Sequence, residues 1–90
     1  MFNTYIDTTS MIAISSFISN NTVVGGGTTI DSGCIVYHSS IGSNCRIGKN
    51  IEISESIIHH NVQIGDGCLI RNAIIESNVT IHENVHMLGN

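Results

Sequence analysis

Ninety residues, 41% of them hydrophobic and 11% charged, describe one small folded domain rather than a disordered segment. A net charge of −4 set against three basic residues, Arg46, Lys49 and Arg71, excludes a nucleic-acid partner, which needs basic surface to meet phosphates. No apolar run approaches the ~18 residues of a membrane span, and no basic segment precedes an apolar core at the N-terminus, so neither a membrane partner nor a signal peptide is expected.

In chain order the first regular feature is an aliphatic ladder with steps of six: Ile6, Ile12, Ile18, Val24, Ile30 and Val36. From Val36 the steps become 5, 6, 6 through Ile41, Ile47, Ile53, Ile58, Ile64, Ile70, Ile75, Ile81 and Met87, a full period of 17 residues. A helix places its apolar residues three and four apart and a half-buried strand places them two apart. A sustained step of six is therefore one short strand plus one turn, repeated as a solenoid. The first two units are degenerate, with Thr9 and Ser15 at the turn position and extra bulk at Ile14 and Phe17. Residues 1–17 read as a looser first coil or attachment segment, and residues 18–90 as the regular repeat.

Counting the ladder residue as position one, position five is small or β-branched: Thr22, Thr28, Cys34, Cys45, Ile51, Val62, Cys68, Val79 and Val85 among others. It lies two before the next ladder residue, so both point to the same side of an extended strand and fill a narrow interior. Position four is Asn or Gly in nine units, from Asn21, Gly27 and Gly33 to Asn78 and Asn84. These residue types tolerate the left-handed backbone of a sharp turn. The five-residue units, Val36–Ser40, Ile53–Ile57 and Ile70–Ile74, keep a small inward residue (Ser39, Ser56, Ala73). They lack an Asn or Gly at position four, so a different, tighter turn without a left-handed residue is predicted at every third corner. Three corners per coil give an all-β parallel β-helix, a triangular prism of about five coils and about 24 Å in length. Solenoid ends need covering, so the chain reads as part of a longer protein or as one whose ends meet partners.

This frame gives each chemically active side chain an address. Cys34 and Cys68 share a column two coils apart with Ile51 between them, about 9–10 Å and beyond disulfide reach. All three cysteines are expected to be buried free thiols. His38 falls at the first corner, His59 and His60 at the second and His82 at the third, so no three histidines converge and no metal is assigned. Lys49, Asp66 and Glu83 stack on successive coils as a surface charge ladder. Gly25-Gly26-Gly27 lies in a hexad turn, not in a phosphate cradle. No catalytic residue and no cofactor is assigned.

The residue before each ladder residue points to solvent. One face carries Thr29, Arg46, Gln63 and Thr80, and another carries Ile35, Glu52, Leu69 and His86. The third carries Tyr5, Val23, Ser40, Ile57 and Ile74, with Tyr37 near the adjoining corner. Contiguous exposed apolar surface marks interfaces. Tyr5, Val23, Tyr37, Ile57 and Ile74 are therefore the candidate subunit-interface residues, whether for a homologous β-helix subunit or for self-association.

Units such as Ile41-Gly-Ser-Asn-Cys-Arg and Ile64-Gly-Asp-Gly-Cys-Leu resemble the hexapeptide repeat of left-handed parallel β-helices, and the left hand is implied by that resemblance alone. Segments such as Glu52-Ile-Ser-Glu-Ser-Ile-Ile-His-His-Asn-Val-Gln-Ile-Gly, with the recurring five-residue unit, resemble the C-terminal β-helix of nucleotidyltransferase-like proteins. The register from Thr22 to Met87 looks most like the epsilon-subunit family of eukaryotic translation initiation factor 2B. The resemblance implies a cytoplasmic, non-catalytic scaffold and subunit-interaction domain of a guanine-nucleotide exchange subunit. The alternative is the oligomerisation and regulatory tail of a sugar-1-phosphate nucleotidyltransferase, of the mannose-1-phosphate guanylyltransferase or ADP-glucose pyrophosphorylase type. A hexapeptide acyltransferase comes third, because the unbroken spacing leaves no room for the loop that shapes an acceptor pocket.

Overall fold

The computed structural model describes residues 4–89, and its described residues form short strands and turns without a helix. β1 (Tyr5–Ile6), β2 (Met11–Ile12) and β3 (Phe17–Ser19) make the first coil, and β4 (Val23–Val24), β5 (Thr29–Ile30) and β6 (Ile35–Tyr37) the second. β7 (Ser40–Ile41), β8 (Arg46–Ile47) and β9 (Glu52–Ser54) make the third, and β10 (Ile57–Ile58), β11 (Gln63–Ile64) and β12 (Leu69–Arg71) the fourth. β13 (Ile74–Ile75), β14 (Thr80–Ile81) and β15 (His86–Leu88) make the fifth. Each strand pairs in parallel with its counterpart one coil away. Three five-stranded sheets result: β1-β4-β7-β10-β13, β2-β5-β8-β11-β14 and β3-β6-β9-β12-β15. The prism they enclose measures 28 × 24 × 24 Å.

Register follows the aliphatic ladder. Val24, Ile41, Ile58 and Ile75 pair in succession along the first sheet, and Val36, Ile53, Ile70 and Met87 along the third. These inward residues are buried from Val24 to Ile81, and each fully buried isoleucine contributes about 1.5–3 kcal/mol of hydrophobic stabilisation. β1 and β2 pair in register with β4 and β5, so the first coil shares the repeat, but it is the least covered: Ile6 is exposed and Ile12 and Ile18 are half-buried.

Position five does more than fill space. Its hydroxyl or thiol donates to a turn carbonyl one coil on: Thr28 Oγ1 to Gly42 O at 2.7 Å, Cys34 Sγ to Gly48 O at 2.9 Å, Cys45 Sγ to His59 O at 3.1 Å and Cys68 Sγ to His82 O at 3.0 Å. Buried polar groups need partners, which explains the preference for Thr and Cys here. In the five-residue units Ser39 Oγ accepts the N–H of Ser56, and Ser56 Oγ accepts the N–H of Ala73, each at 3.2 Å.

The hexad corners turn through left-handed residues as expected, among them Asn44 (φ 59°), Asn61 (φ 58°) and Gly67 (φ 75°). The five-residue corners do not dispense with this conformation. His38, Glu55 and Asn72 each have φ 50°, one position earlier in the unit. The shorter unit removes a turn residue but must still redirect the strand, and a single left-handed residue does so. Residues 18–23, a six-residue unit in the same corner column, use two, Asn20 (φ 31°) and Asn21 (φ 53°). Left-handed backbone costs a residue with a Cβ about 1–2 kcal/mol, least for Asn. Glu55→Asn is therefore expected to stabilise the fold by up to about 1 kcal/mol, and Glu55→Val to destabilise it by about 1–2 kcal/mol. Urea unfolding checks both, and equal midpoints for the two variants would contradict the turn assignment.

Candidate functional site

The outward column of the first sheet is Tyr5, Val23, Ser40, Ile57 and Ile74, paired one on the next. Strand alternation puts these side chains in solvent because Ile6, Val24, Ile41, Ile58 and Ile75 take the inward side of the same strands. Tyr5 is 60% exposed, Val23 43%, Ile57 46% and Ile74 65%. Ser40 interrupts the apolar stripe at its midpoint. The result is a shallow open depression lined by Val23, Ser40 and Ile57, with His38, Glu55 and Asn72 along one margin.

Four of the five predicted interface residues thus share one column, and Tyr37 does not. It lies in β6 of the third sheet, pairs with Ser19 and Ser54, and is half-buried. Its ring meets His38 edge-on, with centroids 5.6 Å apart at 84°, so it backs the margin of the depression from around the corner. Further exposed apolar side chains belong to the first coil, at Met11, Ile14 and Phe17, with Ile35 beside Phe17. The outward rule applies equally to Met11 and Phe17, which pair with the outward Thr29 and Ile35 although their units depart from the hexad at the turn. Beyond Met11, the second sheet presents Thr29, Arg46, Gln63 and Thr80, a polar face.

The titratable groups serve the scaffold. Asp66 Oδ1 accepts the backbone N–H of Lys49 at 2.8 Å, so the acid caps a turn one coil away instead of forming the expected charge ladder. The ion pair among the described residues is Arg71–Glu52, at 3.2 Å on the exposed third sheet. His60 Nδ1 accepts the N–H of Ser43 at 2.8 Å, and Ser77 Oγ accepts the N–H of His60 at 3.2 Å, so one column of corner side chains caps the next. The Thr9 hydroxyl and N–H hold the Asp7 carboxyl below its ordinary range. Cys34, Cys45 and Cys68 are buried free thiols, and burial pushes the Cys34 thiol up, away from the thiolate that a nucleophile needs. Among the described residues no three His, Cys, Asp or Glu side chains group as a metal site. No helix there is long and apolar enough to cross a membrane.

Solved structures share the fold at low identity. The acetyltransferase domain of PglB from Neisseria gonorrhoeae FA1090, in complex with acetyl coenzyme A, superposes with a TM-score of 0.87 at 20% identity over 92% of this chain. The chain spans 42% of that domain's length. The CcmM N-terminal domain in complex with CcmN gives a TM-score of 0.72 at 13% identity over 99% of this chain and 98% of its own. A hexapeptide transferase family protein from Anaplasma phagocytophilum gives 0.54 at 13% identity over 94% of this chain and 69% of its own. The shared architecture is the left-handed, hexapeptide-repeat β-helix. No curated protein matches the chain in sequence. The family description EIF2B subunit epsilon LbH domain matches residues 2–89. With nearly its whole length inside that match, its five coils and its recurring five-residue corner, the chain belongs to the EIF2B epsilon left-handed β-helix family.

Proposed function

We propose that this β-helix is the non-catalytic scaffold of an initiation factor 2B epsilon-like subunit. In this reading it works in the cytoplasm, docks that subunit against a partner protein and positions a guanine-nucleotide exchange domain carried elsewhere in the polypeptide. The observation that carries the reading is the apolar stripe Tyr5–Val23–Ile57–Ile74 on one face of a chain of this family. The partner surface it suits is another protein face with an apolar centre. Tyr37 supports the margin through His38. An acyltransferase reading is disfavoured because among the described residues no connection between strands exceeds four residues, which leaves no protruding loop there to shape an acceptor pocket.

The test is co-expression with a homologous β-helix subunit followed by affinity purification and light scattering. The native chain is expected to co-purify as a defined complex. Ile57→Glu combined with Ile74→Glu is expected to abolish the complex while leaving circular dichroism and the thermal midpoint unchanged, because both side chains are already exposed. Association that survives the double variant would sink this assignment of the face.

A further inference from the structure

The two margins of the first sheet differ in charge and size, and the difference selects a partner and its orientation. The margin where the chain enters each strand carries His38, Glu55 and Asn72 on successive coils. The margin where it leaves carries Gly42, His59 and Glu76 on the same three coils, with Asp7 at the first. Two copies can lay this face together about a two-fold axis in two ways. With the axis along the prism, coils run parallel, each stripe residue meets its own copy and the entering margin lies over the leaving margin. With the axis across the prism, coils run antiparallel and each margin lies over itself.

The parallel arrangement is complementary. The bulky His38 faces the copy's Gly42, the Glu55 carboxylate faces the imidazole of the copy's His59, and the Asn72 amide faces the carboxylate of the copy's Glu76. The antiparallel arrangement sets the Asp7 carboxylate against that of the copy's Glu76 and packs His38 on His38. Like charges placed opposite each other disfavour association and help suppress wrong pairings. We propose that the first sheet binds a second copy of this chain, coils parallel, about a two-fold axis running along the prism. The proposal rests on the reading of this face as a subunit interface and adds to it the partner and the geometry. Ser40 meets Ser40 at the centre, and the small pair leaves the flanking Val23 and Ile57 to make the close contact. A face of five strands is about 19 Å long, short of a standard interface. The dimer is accordingly weak and is best trapped by cross-linking.

The experiment uses single-cysteine additions and a short bis-maleimide. Cys34, Cys45 and Cys68 are buried, so the background is low. Ser40→Cys is expected to cross-link to itself, reporting face-to-face pairing. Ile74→Cys is expected to cross-link to itself, whereas a mixture of Tyr5→Cys and Ile74→Cys yields no mixed product, because their levels lie about 19 Å apart in the parallel dimer. A mixed product without the Ile74→Cys self-product means antiparallel coils and overturns the proposal. A monomer by sedimentation velocity, with neither self-product formed, overturns self-pairing altogether. The subunit reading is then judged separately by the co-purification above.

Discussion

Ile53→Ala is expected to lower the unfolding free energy by about 2–5 kcal/mol. Ile53 is completely buried and sits at the middle of the third sheet's inward column, between Val36 and Ile70. Deleting its outer carbons forfeits hydrophobic burial and leaves a cavity, and coils held on both sides by backbone ladders have little freedom to collapse into it. Position within the stack sets the size of the effect, because each coil of a solenoid is stabilised by its neighbours. Ile6→Ala, in an exposed residue of the first coil, is the matched control and is expected to cost under about 1 kcal/mol. Urea denaturation followed by circular dichroism measures both. Equal losses for the two variants would show that the coils do not share one core.

Thr28→Val, a change with almost no difference in shape, is expected to cost about 1–3 kcal/mol. The buried Thr28 hydroxyl donates to Gly42 O at 2.7 Å and accepts the buried N–H of Cys45 at 3.2 Å. Valine leaves both backbone groups unpaired in the interior, and desolvation without a partner carries the penalty. The chain itself places Val62 and Val79 at the equivalent position, on the last two coils, where Val79 is half-buried and Glu76 is exposed. Thr28→Ser keeps the hydroxyl and is expected to recover most of the loss. Should Thr28→Val match the native protein in urea, the hydroxyl would be acting only as a space filler.

Much of the architecture was legible in the chain because the code is local and repeats. Ile53 and Cys68 could be placed indoors, and Ile57 and Ile74 outdoors, by counting from the ladder. The candidate stripe was legible for the same reason. His38 and Glu55 were not legible as left-handed residues, since nothing in either residue type announces a positive φ. Closing the prism forces that backbone on whichever residue stands there. The roles of Asp66 and His60 were hidden too, because a corner side chain finds its backbone partner about one coil away, 17 residues distant in sequence for both pairs.

Residue order alone dictates the repeat: strand, turn, inward or outward side, and the burial of three thiols, because steps of five and six fill the interior in one register. The folded coils settled how each corner is closed and capped. They put His38 and Glu55 in the left-handed region, set Asp66 and His60 on backbone N–H groups of the neighbouring coil, and held Tyr37 on the adjoining sheet. The reason is that adjacency on a β-helix is set by coil-to-coil hydrogen bonding and by the shape of each corner. Both depend on residues a full coil apart.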